Sequence, residues 1–283
     1  MPLSTTSDHV SKYYDQNTQR FLRFGGSREI SAIHRKIWAP GIKTSEQAFS
    51  YLNSLVAEVV TSGLPFRNHT RILDLGCGVG GTATWLASRY SMNVVGITNS
   101  AVQQQIAVKR ANRLGLSDRC QFIIADFMDL PPLDPVHAAF AIESFVHARN
   151  PISFFQETGE VLIKAGRLVI CDDFLAGHAQ DTKNHQRRLQ SLKQFQNGWH
   201  IENFLTTEQV IEFARLSRFR LFRIENLSYY IQTYPEIILR AFQFVANLPI
   251  HLAYWENLSG GTALQICLRN GWSRYQAITF IKE

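Results

Sequence analysis

Cysteine is scarce in this chain of 283 residues: Cys77, Cys120, Cys171 and Cys267 are its only four, far apart and without a CxxC pair. Such spacing argues against a disulfide framework and a structural zinc site, and fits a reducing cytoplasm. Long apolar runs are missing as well. Nowhere do about 18 apolar residues follow one another without a charge, so no membrane-spanning helix is expected. Residues 1–20 are polar and lack an apolar segment behind a basic start, so no secretion signal is expected either.

Charged residues make up only 18% of the chain against 45% hydrophobic, with 17 Gly and 9 Pro. That balance excludes disordered and collagen-like chains and leaves an ordinary globular protein. The 29 Lys and Arg exceed the 23 Asp and Glu, giving +6, which tolerates an anionic substrate without requiring one. The densest basic group is Arg215, Arg218, Arg220 and Arg223, interleaved with Leu216, Phe219, Leu221 and Phe222. This is the pattern of a helix end followed by a half-exposed strand. No nucleic-acid motif accompanies it, so no nucleic-acid partner is expected.

What is present is an alternation of short apolar runs with helical patterns from residue 71 to about 175, the mark of a parallel sheet with crossover helices. Strands are expected over 71–75, 93–98, 121–126, 137–143 and 167–171, with helices over 82–90, 100–114 and 151–163. Upstream, Thr44-Ser-Glu-Gln47 has capping-box spacing, and Phe49, Leu52, Val56 and Val59 recur at helical intervals. Downstream, Thr206-Thr-Glu-Gln starts a helix to about 216, a strand covers 219–224, a mostly helical aromatic stretch covers 228–272, and 275–282 closes the sheet. No repeat or linker divides the chain. The expectation is one domain over 1–283: an N-terminal helical lid (1–66), a ligand-binding core (67–177), and cap insertions at 178–205 and 228–272.

The segment Asp74-Leu-Gly-Cys-Gly-Val-Gly-Gly81 lies between a strand and a helix, where glycines let a ligand approach backbone amides. A nicotinamide dinucleotide is the competing reading, but it calls for an acidic residue near the end of the second strand, about 20 residues on. Here that strand ends Gly96-Ile-Thr-Asn-Ser100. The set DLGCGVGG resembles the first motif of class I S-adenosyl-L-methionine-dependent methyltransferases. The pattern of Gly96, Thr98, Ser100 and Gln103 is similar to GxTxSxxQ in the branch holding cyclopropane fatty acid synthases and sterol and tocopherol methyltransferases. The resemblance implies an α/β, Rossmann-like, doubly wound fold with a mainly parallel sheet, an antiparallel last strand and the lid and cap above. It also implies cofactor contacts at Asp74, Gly76, Gly78, Gly80, Thr98, Asn99 and Gln103, and at Asp126 and Phe127 after the third strand. Ser100 reads equally as a helix N-cap. Tyr13 and Tyr14, in Tyr13-Tyr-Asp15, resemble the segment that closes over the cofactor in this branch.

Glu143 follows an apolar run and should sit at the crevice edge, where apolar surroundings raise a carboxylate's pKa and make it a base. The segment Glu143-Ser-Phe-Val-His147 resembles the E-x-x-x-H stretch of sterol C-methyltransferases. Glu143 is the leading candidate base, with a purely structural carboxylate as its alternative. His147 is the second candidate base, with loop packing as its alternative. Asp172 and Asp173 follow the fifth strand, so at least one faces the crevice, with Asp173 a substrate contact. His34, Arg35 and Trp38 are candidate substrate contacts from the lid, and Tyr229, Tyr230 and Trp255 from the cap. Aromatic faces suit a small apolar acceptor whose alkene carbon becomes a cation on methylation. C-methylation of an isoprenoid, including a prenyl diphosphate, is therefore expected. The alternatives are O- or N-methylation of a natural product and, outside the class, a non-catalytic nucleic-acid or protein-binding module. No His/Asp/Glu cluster has metal-site spacing; Mg2+ enters only if the acceptor is a diphosphate.

Overall fold

The computed structural model describes residue 15, residue 18 and residues 34–62, 70–177, 185–246 and 255–283. Helix α1 (Ser45–Thr61) opens with the expected capping box, in which Thr44 accepts from the Gln47 amide and Gln47 returns the bond. Its apolar face, with Phe49, Leu52, Val56 and Val59, is buried. The alternation that follows is β1 (Arg71–Leu75), α2 (Gly81–Tyr90), β2 (Asn93–Thr98), α3 (Ala101–Arg113), β3 (Cys120–Ile124), β4 (Val136–Ile142), α4 (Pro151–Val161) and β5 (Leu162–Leu175). Beyond it lie α5 (His185–Gly198), α6 (Thr207–Leu216), β6 (Phe219–Asn226), α7 (Glu236–Ala246), α8 (Trp255–Arg269) and β7 (Ser273–Lys282). Among the described residues no helix is long and apolar enough to cross a membrane.

Seven strands form one sheet in the order β3-β2-β1-β4-β5-β7-β6. The first five are mutually parallel, and β7 runs antiparallel to both β5 and β6. Successive residues of each strand feed opposite layers, as a pleated strand buried on both faces must. Ile72, Val94, Phe140 and Cys171 join the layer under α1, α2 and α3, whereas Leu73, Val95, Ala139 and Ile170 join the layer under α4 and α6. Phe145, Phe154, Phe155, Phe219 and Phe280 fill the second layer through edge-to-face and tilted contacts. The strand order reverses between β1 and β4, and in open α/β sheets that switch point is where ligands bind.

Several expected boundaries move, and the fifth strand, expected to end at 171, runs on to Leu175, so Asp172 and Asp173 lie within it, paired with β7, rather than after it. Helix α4 stops at Val161 rather than 163, and β5 begins at once, because Leu162 pairs with Val136 of β4. Strand pairing there overrides a helical apolar spacing. The third strand ends at Ile124, and Asp126 to Asp129 forms a turn instead. The basic group near 215–223 is a solvated face as expected: Arg215 pairs with Glu212, Arg223 with Glu58 and Glu225, and β6 is largely exposed. Charged side chains on such an edge strand also discourage pairing with other chains.

Candidate active site

A cavity of about 600 Å³ opens at the C-terminal ends of β1 to β5. Its floor is the glycine loop. Gly76, Gly78 and Gly80 have φ of +89°, +52° and +73°, the left-handed region open to glycine at little cost. The three differ in what surrounds them. A Cβ on Gly76 would collide with Ser144, 2.4 Å away, and one on Gly78 would meet nothing within 4 Å. Gly78 therefore leaves open space at the cavity floor. Gly80, expected to touch a cofactor, is not part of the cavity wall. Its Cβ would strike the Phe122 ring at 2.8 Å and Ala107 at 3.0 Å, so close helix packing is what requires glycine there.

Asp74 is buried beside this loop, and burial pushes its carboxyl well above the ordinary range. Thr98 and Gln103 line the next part of the wall and bond each other, Thr98 Oγ1 donating to Gln103 Oε1 at 3.0 Å. Ser100 is the N-cap of α3, accepting from the Gln103 amide. Asn99 completes this side. Asp126 accepts from the Met128 amide and from Arg149 Nη2, at 2.9 and 3.1 Å. Phe127 lines the same corner and packs edge-on against Phe154.

Opposite stands Glu143, directly after β4, with φ +52°. That conformation costs a non-glycine residue about 1–3 kcal/mol, and three bonds hold it. The Glu143 amide donates to the Cys171 carbonyl at 2.9 Å. Its Oε1 accepts from the Arg35 amide and from the Tyr275 hydroxyl, each at 2.9 Å. None of the described residues bonds Oε2. The apolar setting expected for this carboxylate is therefore replaced by a polar one, because the chain before α1 and strand β7 deliver donors to it.

Arg35 ties the cluster together. Its guanidinium makes a two-pronged pair with Asp173, with Nη1 at 2.9 Å from Oδ1, and lies 4.6 Å over the Tyr275 ring. Burial works to lower the guanidinium pKa, but Asp173 and Glu143 outweigh it and the net effect is a rise. Burial pushes Asp173 up, and Arg35 pulls it back. Neighbouring Asp172, which accepts from the Asp173 and Val146 amides, is pushed up to about 8 by burial and by Asp173. Both aspartates line the cavity. Tyr275 is fully buried, and burial and then Glu143 push its phenol well above the ordinary range.

His147 also lines the cavity, its Nδ1 donating to the His200 carbonyl at 3.1 Å. Burial brings its pKa down to about 4, which makes it a weak base near neutral pH. His34 is buried in the wall, and its Nε2 has no partner among the described residues. Trp38 lines the wall too, its amide bonded to the Tyr230 carbonyl.

The aromatic assignments in the cap divide. Tyr229 is 83% exposed and lies outside the cavity wall, while Tyr230 packs against the core layer under α1. Both belong to the short 3-10 turn Ser228–Tyr230 after β6, and neither lines the cavity. Tyr13, Tyr14 and the Trp255 side chain lie outside the described residues. The apolar wall comes instead from Phe195 and Trp199, Ile201, and Gly261, Leu264 and Leu268 of α8. Tyr275 is the site residue that sequence reasoning missed. Its position in a closing strand carried no local signal, since the contact depends on β7 pairing antiparallel with β5 and setting Tyr275 opposite Asp173.

Comparison with known proteins places this geometry among relatives. The sequence matches the mycolic acid cyclopropane synthetase family over residues 56–236, more than half of the chain. It is 27% identical to cycloartenol-C-24-methyltransferase 1 of Oryza sativa subsp. japonica across 80% of this chain, and spans 62% of that protein's length. The fold is similar to that of the cyclopropane synthase MmaA2 from Mycobacterium tuberculosis, with a TM-score of 0.77, 18% identity and all of both chains covered. It is also similar to geranyl diphosphate C-methyltransferase from Streptomyces coelicolor A3(2), solved with Mg2+, geranyl diphosphate and S-adenosyl-L-homocysteine. There the TM-score is 0.70 at 18% identity, again over the whole of both chains.

Proposed function

Because the chain belongs to the mycolic acid cyclopropane synthetase family, we propose that it is an S-adenosylmethionine-dependent methyltransferase acting on a carbon of a small apolar isoprenoid. The cofactor fits the residues present. Gly78 leaves an open cradle at the loop, and Asp74, a buried carboxyl raised by burial, has no donor among the described residues, so an amino-acid ammonium would supply one. Thr98, Asn99 and Gln103 would hold the ribose side, with Asp126 and Phe127 at the adenine. When bound, that cofactor supplies an electrophilic methyl group, and its transfer leaves positive charge on an alkene acceptor.

The observation that carries the reading is Glu143. Two donors fix Oε1, leaving Oε2 unbonded by the described residues on a carboxylate that lines the cavity. That group can accept the proton an alkene must lose after methylation. The wall carries Glu143 and Glu202 beside the ion pairs Asp126–Arg149 and Asp173–Arg35, with Lys36 the further cation, while Asp74 and Asp172, their carboxyls raised by burial, add little charge near neutral pH. The apolar face built by Phe195, Trp199 and Leu264 excludes water and receives the hydrocarbon. His147, with a pKa brought down to about 4, is not assigned the base.

The test is mass spectrometry of products from purified protein, labelled S-adenosylmethionine and a panel of prenyl alcohols, prenyl diphosphates, sterols, quinols, phenols and amines. A label on a prenyl or sterol carbon is the expected result. Label found only on oxygen or nitrogen would overturn the assignment of Glu143.

A further inference from the structure

Helix α8 turns one face to the cavity: Gly261, Leu264, Gln265 and Leu268, spaced i, i+3, i+4 and i+7, all line it. Two glycines lie side by side in this helix, and only one is explained by packing. A Cβ on Gly260 would come within 2.8 Å of the Gly198 Cα and 2.9 Å of Trp199, so α5 and α8 can approach only with glycine there. A Cβ on Gly261 would meet nothing within 4 Å, and its backbone is outside the left-handed region. Any residue fits the backbone at this position, and glycine is the poorest helix former after proline. What the missing side chain provides is room in the apolar wall, at the end of this face away from the carboxylates, since it is Cys267, six positions further on, that feels the charge of Asp173.

We propose that Gly261 is a specificity-determining residue that sets how long an apolar acceptor the cavity takes. Its role as a gauge for the acceptor rests on the function proposed above; the depth of the recess is measurable without it. A side chain at 261 would occupy the space in which the distal carbons of a longer chain lie. Leu264 and Leu268, further along the same face, would then line only the part that a shorter chain fills.

The probes are n-alkyltrimethylammonium salts from hexyl to dodecyl, held below their micelle concentrations and followed by quenching of tryptophan fluorescence. Their cationic heads suit Glu143 and Glu202 on the wall, and Trp38 and Trp199 line the cavity. In the full chain, Gly261→Val should shorten the longest well-bound probe by about two methylenes, a roughly tenfold loss at that length. Affinity for the hexyl probe should stay within about twofold on the same reckoning. Gly261→Ala should shift the length limit less and raise Tm by about 2–4 °C, since it only improves the helix; it carries the test if the valine variant does not fold. Affinities unchanged at every length, an equal loss at every length, or no binding of any probe by the unsubstituted chain would each overturn the proposal. A moved length limit with no methylated isoprenoid in the product panel would overturn the proposed reaction and leave the recess as described.

Discussion

The hydroxyl of Tyr275 donates to Glu143 at 2.9 Å across 132 positions of sequence. The bond joins the end of β4 to a strand that lies two places away in the sheet. Arg35 completes the arrangement by giving its amide to the same carboxylate oxygen while its guanidinium covers the Tyr275 ring. A residue in left-handed backbone is thus held from two sides by groups remote in sequence.

Glu143→Gln should reduce turnover about 10²–10⁴-fold if the carboxylate takes the proton, with S-adenosylmethionine affinity within a few-fold by calorimetry. Tyr275→Phe removes a donor to Oε1 and leaves the carboxylate in place. Its turnover should fall less than that of Glu143→Gln, because the carboxylate stays while one of the two donors that orient it is lost.

Removing the Arg35 charge with Arg35→Met leaves Asp173 and Glu143 without their cation. Breaking a buried pair in this way typically costs about 3–5 kcal/mol. Adding Asp173→Asn should restore part of the loss. Denaturant unfolding of the two single variants and the double variant measures that coupling.

Two buried groups predict the pH dependence of stability, with opposite signs. Asp172, raised from 3.8 to about 8, makes the folded state bind more protons than the unfolded one between those values, so its contribution falls as pH rises. His147, lowered from 6.5 to about 4, makes the folded state bind fewer, so its contribution grows as pH rises. Between pH 4 and 6.5 the two slopes oppose each other, and from 6.5 to 8 Asp172 alone contributes a loss of about 2 kcal/mol, in the same direction as buried Asp74, whose carboxyl is also raised. Asp172→Asn should remove about 2 kcal/mol of the fall between pH 6.5 and 8, read by urea unfolding of the two proteins across pH.

The loop glycines should separate stability from binding. Gly80→Ala meets the Phe122 ring and a positive φ, and should cost about 1–3 kcal/mol of stability with little direct effect on the cofactor. Gly78→Ala places a methyl group in empty space at the cavity floor. It carries the same strain of a positive φ, and should in addition weaken cofactor binding beyond the loss seen with Gly80→Ala, as calorimetry and thermal unfolding of the same samples would show.

Metal removal should depend on the acceptor. A diphosphate enters a wall that carries Glu143 and Glu202, and among the described residues no group of three or more His, Cys, Asp or Glu is placed to hold a metal ion. Excess EDTA should therefore abolish turnover of a prenyl diphosphate and spare that of a neutral prenyl alcohol, in parallel assays by product mass.

The parallel half of the sheet was legible because its information is local. Apolar runs such as Asn93–Thr98, the capping box at Thr44 and the glycines after β1 each act within a few residues. The glycine-loop side of the cavity lies in the same stretch. What escaped depends on pairing at a distance. Leu162 and Ile163 carry a helical spacing that β4 overrides, and Tyr275 reaches Glu143 only through its register with Asp173. Tyr229 and Tyr230 show the converse: an aromatic composition fits a binding cap, but composition does not say which way a ring faces.

The position of β7 has a consequence for assembly. It lies between β5 and β6, and β6 has no other neighbour in the sheet. During vectorial synthesis β6 therefore emerges before the strand that will hold it, and its open edge waits for β7 to insert. The same insertion delivers Tyr275 to Glu143. Docking of the sheet's outer edge and completion of the Glu143 cluster are one event, so a nascent chain that has not closed its sheet does not yet hold this carboxylate from both sides.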